Sequence, residues 1–371
     1  MRLGPQISQA TGRTRNWILY DYLQVNGGAE RLAITLADSL PGFSLGVSGI
    51  YDSFAGTGDL RGVTPVAPGA PLCWLPRVPR ALATFGLGYP AIEQADCVIY
   101  SGVYAPLAVA RQAGGRKIHY CHTPPRFAFD RHDEYVQRAP APLRPALRLA
   151  IRRYRRSYLE SLGAMDTVLV NSHHVRERLA RLTGIAAQVV YPPIDLAGFR
   201  FLGQEDYYLS VGRLEPNKRV DRIIAAFRAM PGKKLVVASG GSELARLAAL
   251  AASARNIAVL GWQSQASMAR LIGNAIAVIY IPSDEDFGMS AVEAMAAGKP
   301  VIGVDEGGLR ESIIDGKTGI MLHFDPDETA LCAAITELTA EAAANMRLAC
   351  ERRARDFSAA RFVSAFRALI T

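Results

Sequence analysis

One stretch of the sequence, residues 277–304, constrains the fold more than any other. Its first five and last four residues are apolar runs, as in strands that are buried on both faces. Between them, residues 290–297 carry a short helical pattern, with Gly298 and Pro300 at the positions where helices end. Such a strand–loop–helix–strand unit is typical of a parallel α/β sheet, which holds ligands at the carboxyl ends of its strands. The loop before this helix is therefore a candidate site.

Two carboxylates, Glu285 and Glu293, flank the start of this predicted helix. Gly288 lies between them, and the main-chain N–H groups of Gly288, Met289 and Ser290 would point at a ligand above the helix start. A helix N-terminus preceded by glycine favours anions. A single acid near such a helix more often complements the helix dipole, so either glutamate alone would be weak evidence.

Composition limits the class of protein. A chain of 371 residues, half of them apolar, predicts two domains of ordinary size. No window approaches the roughly 18 to 20 apolar residues of a membrane span, and the polar residues 1–14 are not followed by the apolar core of a signal peptide. Five scattered cysteines without a Cys-x-x-Cys pair indicate neither a zinc site nor a disulfide framework. The predicted location is the cytoplasm.

The net charge of +8 points to an anionic partner. Between Glu134 and Glu160 no acid occurs, whereas seven arginines do: Arg138, Arg144, Arg148, Arg152, Arg153, Arg155 and Arg156. Within residues 143–162 apolar side chains recur at helical spacing: Leu147, Ile151, Tyr154, Tyr158 and Leu162. This basic amphipathic helix is either a solvated face or a contact with anionic lipid headgroups, and the sequence leaves both open. Peripheral attachment to the inner face of the plasma membrane would follow from the second.

The first half of the chain contains two candidate sites. Gly27 and Gly28 lie between a predicted strand, residues 17–20, and a predicted helix, residues 29–40, where glycines permit close approach to a phosphate. The dinucleotide fingerprint G-x-G-x-x-G is absent there. His122 follows a predicted strand, residues 117–121, and so belongs to the ligand edge of the sheet.

The second half begins, after a proline-rich boundary near residue 195, with a predicted strand. Gly212 and Arg213 follow this strand, and Lys218 lies five residues after Arg213. An arginine can hold a diphosphate through two N–H groups, while a lysine acts as a compact charge. Trp262 follows another predicted strand, residues 257–261.

Taken together, these motifs resemble the retaining glycosyltransferase family 4. The resemblance is carried by residues 27–30, 122–130, 212–218 and 285–300 and extends over nearly the whole chain. It implies the GT-B fold, in which two Rossmann-like α/β domains face each other across a cleft. The expected domains are an acceptor-side domain at residues 1–195, a nucleotide-sugar domain at residues 196–355, and a helix at residues 356–371 that crosses back to the first domain.

The resemblance also implies roles for individual residues. His122 and Glu285 would contact the transferred sugar, and Glu293 the ribose. Whether Glu285 acts chemically or only positions the sugar stays open. The other donor contacts would come from Gly27, Gly28, Arg213, Lys218, Trp262, Gly288, Met289 and Ser290. Arg126 and Asp130 would face the acceptor or brace their loop, and no metal ion is expected.

Residues 122–130 resemble more specifically the branch that transfers mannose from GDP-mannose during surface polysaccharide assembly. The predicted reaction is retaining transfer of mannose onto a hydroxyl of a lipid-linked or polysaccharide-precursor acceptor, without a cofactor. A UDP-hexose donor is the first alternative. A nucleotide-sugar epimerase, which would turn over without any acceptor, is the second. Nucleic-acid binding through the basic helix gives no reason for Glu285 and Glu293 and is not expected.

Overall fold

The computed structural model describes residues 15–24, 27–51, 54, 60, 74–87, 89 and 92–370. The polar amino terminus and Cys73 lie outside the described residues. By contacts between Cα atoms the chain divides into two compact units. The first holds the residues up to Val170 together with Arg178–Gln188 and the last residues from Phe366, and the second holds Asn171–Glu177 and Val189–Ala365.

The first unit is an α/β sheet with its helices. Its strands are β1 (Asn16–Tyr20), β2 (Phe43–Val47), β3 (Cys97–Ser101), β4 (Arg116–Cys121), β5 (Thr167–Val170) and β6 (Gln188–Val189). Its helices are α1 (Gly28–Ser39), α2 (Arg77–Gly86), α3 (His132–Arg138) and α4 (Arg144–Gly163). Helix α5 (His173–Thr183) has residues in both units.

The strand order of the first sheet is β2-β1-β3-β4-β5-β6, and the pairs from β2 to β5 are parallel. After β1 the chain adds β2 on one side and later β3 on the other. The switch point of the sheet therefore lies between β1 and β3, and ligands of open α/β sheets bind at such points.

The second unit repeats the architecture. Its strands are β7 (Tyr208–Ser210), β8 (Leu235–Ala238), β9 (Ile257–Gly261), β10 (Val278–Ile279), β11 (Val301–Val304) and β12 (Gly319–Leu322). Its helices are α6 (Val220–Ala229), α7 (Leu244–Ala251), α8 (Gln265–Asn274), α9 (Met289–Ala296), α10 (Leu309–Ser312), α11 (Glu328–Glu337) and α12 (Ala340–Ala354). Helix α13 (Ala359–Ile370) ends the described chain and has residues in both units.

The second sheet is also parallel, in the order β12-β11-β10-β7-β8-β9. Strands β7 to β9 extend it in one direction and β10 to β12 in the other. Its switch point therefore lies between β7 and β10, so the loops after these two strands meet at one edge.

The apolar runs read from the sequence form the cores of both units. In β1 the residues Trp17, Ile18, Leu19 and Tyr20 are all buried, and β11 is buried throughout. Continuous burial, in place of alternation, is expected when helices cover both faces of a parallel sheet.

Among residues 45–90 the sequence motifs predicted no helix. Helix α2 lies there and buries Ala81, Thr84 and Phe85. Its proline, Pro79, is the third helical residue, where a backbone N–H would have no intrahelical partner. Pro79 therefore does not break the helix.

Candidate functional site

The loops after β7 and β10 bring Lys218 and Glu285 into direct contact at the switch point of the second sheet. The Lys218 ammonium donates to Glu285 Oε2 and lies 3.0 Å from the hydroxyl of Tyr280. That hydroxyl is in turn 2.8 Å from Glu285 Oε2. The Lys218 and Glu285 side chains are only 15% and 17% exposed. Each charge is therefore largely shielded from water and is compensated by the other. Three polar groups from two loops thus form one cluster, which we call the Lys218–Tyr280–Glu285 cluster.

Tyr280 is the buried member of this cluster. Burial, the Glu285 carboxylate and then Glu293 raise the pKa of Tyr280 well above its ordinary value, so its hydroxyl keeps its proton. Glu293 itself is buried in α9. Glu285 thus lies in the loop that precedes α9, and Glu293 lies within α9.

Glycine is required where the Glu285 loop meets its neighbours. Gly288 caps α9 with φ of 85°, and an added Cβ would lie 2.5 Å from Leu309 Cδ2. Helix α9 begins at Met289, one residue before the predicted start, and Ser290 follows in its first turn. Gly288, Met289 and Ser290 thus lie at the N-terminal end of this helix, where unpaired main-chain N–H groups favour anions.

A second glycine pair supports the loop from behind. A Cβ on Gly307 would lie 2.3 Å from the carbonyl oxygen of Glu285, and one on Gly308 would lie 2.4 Å from that of Asp286. The Gly308 N–H donates to the Glu285 carbonyl at 2.9 Å. Asp284, with φ of 58°, is held by a bond from its N–H to Glu306 Oε1 at 2.8 Å. The turn after β11 therefore fixes the backbone of the Glu285 loop.

Arg213 and Trp262 lie at the same edge of the second sheet but do not join the cluster. The Arg213 guanidinium is 71% exposed and lies 3.5 Å from Glu215. Glu215 in turn accepts from Ser242 Oγ at 2.7 Å. Trp262 follows β9 and is 62% exposed. Of the predicted diphosphate pair, the structure brings Lys218, but not Arg213, into contact with Glu285.

In the first unit, Gly27 caps α1 and Gly28 is its first residue. His122 follows β4, and its Nε2 lies 2.9 Å from Ser101 Oγ, at the end of the adjacent strand β3. Burial lowers the pKa of His122 to about 3, so its ring is neutral at physiological pH. The ring can therefore accept or donate a hydrogen bond without carrying charge.

Arg126 and Asp130 hold each other. The Arg126 Nε donates to Asp130 Oδ1 at 2.8 Å, and both side chains are about one-fifth exposed. This pair spans one turn of the loop that follows His122. The sequence left two roles open for this pair, contact with the acceptor and bracing of the loop. The Arg126–Asp130 hydrogen bond is a contact of the second kind.

Sequence reasoning missed Asp21, which lies at the switch point of the first sheet. Its carboxylate accepts the main-chain N–H groups of Val103, Tyr104 and Ala105 at 2.7 to 2.8 Å. Burial raises the pKa of Asp21 to about 6. A Cβ on Gly102, whose φ is 118°, would lie 2.6 Å from this carboxylate. An aspartate directly after the β1 pattern was the available signal.

The basic helix is α4, and its apolar stripe faces inward. Ile151, Tyr154, Tyr158 and Leu162 are buried. The outward surface instead carries arginines together with Leu143 and Leu149, which are 59% and 64% exposed. None of the described helices combines the length and apolar character needed to cross a bilayer.

Among the described residues no group of three or more His, Cys, Asp or Glu side chains is arranged to hold a metal ion. The two parallel sheets, each with polar groups at its switch point, define a doubly wound α/β protein. Residues 26–197 match the family model described as Glycosyltransferase Family 4, and residues 197–357 match Glycosyl transferases group 1. The two matches follow one another and together span residues 26–357.

Solved structures show the same fold over nearly the full length. HepE of Anabaena, determined in complex with UDP and glucose, has a TM-score of 0.72 at 16% identity and covers 95% of this chain and 98% of that one. Sucrose-phosphate synthase from Thermosynechococcus elongatus has a TM-score of 0.72 at 18% identity, and the match covers 96% of this chain and 99% of that one. The prediction of a GT-B fold with two Rossmann-like domains is thereby confirmed.

Curated relatives match a shorter part. D-inositol 3-phosphate glycosyltransferase from Mycobacterium marinum is 33% identical over 190 residues, which is 44% of this chain and 41% of the relative. The enzyme of the same name from Mycolicibacterium paratuberculosis is 34% identical over 213 residues, which is 51% of this chain and 46% of the relative. The chain thus spans less than half the length of these curated relatives.

Proposed function

We propose that this protein is a retaining glycosyltransferase that moves a hexose from a nucleotide-sugar onto a hydroxyl group. The observation that carries the proposal is the Lys218–Tyr280–Glu285 cluster at the switch point of a domain that matches glycosyl transferases group 1. A cation, a carboxylate and a helix N-terminus at one strand edge are the groups needed to hold a sugar diphosphate.

The leaving diphosphate gains negative charge as the glycosidic bond breaks. In the proposed chemistry this charge is stabilised by Lys218, by Arg213 and by the main-chain N–H groups at Gly288, Met289 and Ser290. Groups fixed in place before the reaction stabilise such charge without reorganisation. No step of this chemistry requires a metal ion or another cofactor.

The remaining contacts follow the resemblance to family 4. We assign the transferred sugar to Glu285 and His122, and the ribose to Glu293. The donor phosphates would also approach Gly27 and Gly28, and the base Trp262. Neutral His122 suits a hydrogen bond to a sugar hydroxyl, because it adds no charge to an already charged site.

GDP-mannose is the proposed donor, on the strength of the sequence pattern at residues 122–130. A UDP-hexose is the second candidate. It is favoured by the fold-level similarity to HepE, whose structure contains UDP and glucose. The two differ in base and sugar, so direct comparison separates them.

A lipid-linked saccharide is the proposed acceptor. It is supported by the exposed arginines of α4, together with Leu143 and Leu149, which suit an anionic membrane surface on the cytoplasmic side. A small phosphorylated acceptor is the alternative, because the curated relatives are named for D-inositol 3-phosphate.

The test mixes the protein with GDP-mannose, UDP-glucose or UDP-N-acetylglucosamine, with and without a polyprenol-linked saccharide. We expect one donor to raise the melting temperature and to release nucleoside diphosphate only when acceptor is present, with retained anomeric configuration in the product. Isomerisation of the donor without acceptor would identify an epimerase. Absence of binding to all three donors would contradict the proposal.

A further inference from the structure

We infer that Tyr280 is a positioning residue that keeps Glu285 in place while Lys218 turns toward the donor diphosphate. The inference rests on the proposed function, because it assigns a diphosphate to the Lys218 ammonium. The sequence motifs assign no role to this hydroxyl.

In the proposed function, Glu285 and the donor diphosphate compete for the Lys218 ammonium. This ammonium is already bonded to Glu285 in the structure. A diphosphate that binds Lys218 competes with Glu285 for the same charge. If Lys218 left and nothing replaced it, Glu285 would keep a largely buried carboxylate without its cation, which is costly.

The Tyr280 hydroxyl provides Glu285 with a second hydrogen-bond partner. This hydroxyl lies 2.8 Å from the same carboxylate oxygen, Glu285 Oε2, and 3.0 Å from the Lys218 ammonium. Because its pKa is raised, it remains a proton donor. It can therefore continue to donate to Glu285 after the ammonium has moved, and so preserves the orientation of the carboxylate that faces the sugar.

The Tyr280 ring is closely packed against the backbone of two glycines. A Cβ on Gly212 would lie 3.1 Å from Tyr280 Cε2, and one on Gly288 would lie 3.5 Å from Cε1. Tyr280 is only 5% exposed. Glycines at the ends of two adjoining segments thus leave space for this ring, and the hydroxyl has one fixed position in the cluster.

The decisive experiment is a double-mutant cycle measured by calorimetric titration with GDP and with UDP. Tyr280→Phe should weaken binding of the preferred nucleoside diphosphate about tenfold, because Glu285 is then left without a donor when Lys218 engages the ligand. In a Glu285→Ala background the same Tyr280→Phe change should have no effect on affinity. A merely structural tyrosine would weaken binding equally in both backgrounds.

Tyr208→Phe is the matched control, since Tyr208 is also buried in the second unit but donates to the carbonyl groups of Ile335 and Leu338. It should leave affinity for the nucleoside diphosphate unchanged. Tyr280→Phe binding as tightly as the parent would overturn the inference while leaving the proposed function intact. A parent protein that binds neither GDP nor UDP would overturn both.

Discussion

Lys218 and Glu285 share a hydrogen bond although 67 residues separate them in the chain. Lys218 follows β7 and Glu285 follows β10, the two strands at the switch point of the second sheet. The bond shows that the cation assigned to the diphosphate and the carboxylate assigned to the sugar belong to a single site. Under the proposed function, a donor diphosphate that binds Lys218 would rearrange this ion pair.

Replacement of Glu285 should separate binding from turnover. Glu285→Ala removes the carboxylate but leaves Lys218 free to hold the diphosphate, so we expect nucleoside diphosphate binding to persist. Transfer should fall by at least about 100-fold, since a sugar-facing group is lost. Measurement of affinity and of kcat on the same preparation checks this. Equal losses in both quantities would place Glu285 on the nucleotide instead.

The Gly307–Gly308 turn should tolerate no side chain. Gly308→Ala would place a methyl group 2.4 Å from the Asp286 carbonyl and force the Glu285 loop to move. We expect a loss of about 1 to 3 kcal/mol in the free energy of unfolding and a clear loss of turnover. Gly232→Ala, where nothing lies within 4 Å, is the matched control. Unchanged kinetics in Gly308→Ala would show that the loop is not fixed by this turn.

Acidification should destabilise the first unit through its buried histidines. Burial lowers the pKa of His119 to about 4 and that of His122 to about 3, below the usual value near 6.5. Their stabilising contribution is complete above about pH 6.5 and is lost as the pH falls toward the folded values. Asp21 acts in the opposite direction, because its folded pKa of about 6 exceeds its unfolded value.

Between pH 7 and pH 4.5 we expect His119 to account for a loss of about 2 kcal/mol, measured by urea unfolding at each pH. His119→Gln should flatten the pH dependence although it lowers stability at pH 7. If the dependence kept its full slope in the variant, the titration of His119 would not be its cause.

The α4 arginines should govern membrane attachment. Replacing Arg148, Arg152 and Arg153 by glutamate should reduce co-sedimentation with phosphatidylglycerol vesicles by at least about 100-fold at low salt, since each basic residue contributes about 1 kcal/mol. The same change at Arg228, Arg255 and Arg352, which are also exposed, should have a much smaller effect. Equal losses would indicate a response to net charge alone.

Much of the fold could be predicted because it depends on short-range patterns. Buried runs such as β1 and β11 and the glycine that ends α9 are readable from a few residues. Glu285 and Lys218 could be identified because each follows a strand, and the carboxyl ends of parallel strands share one edge. Helix α2 was missed because a proline in its first turn resembles a break.

The remaining features depend on contacts that no local pattern reveals. Tyr280 read as one more residue of a buried strand, and only the strand order shows that its hydroxyl reaches both Lys218 and Glu285. Asp21 likewise depends on the approach of residues 103–105. The apolar stripe of α4 was readable, but whether it faces protein or lipid is decided by packing.

The most direct test of the central claim is calorimetric titration of the parent, Lys218→Ala and Lys234→Ala with the nucleoside diphosphate that the parent prefers. Lys234 belongs to the same unit but is 63% exposed and paired with Asp206, so its replacement should leave affinity unchanged. Lys218→Ala should bind at least about 100-fold more weakly, because the diphosphate loses its fixed cation. Parent-like affinity in Lys218→Ala would show that the Lys218–Tyr280–Glu285 cluster is not the donor site.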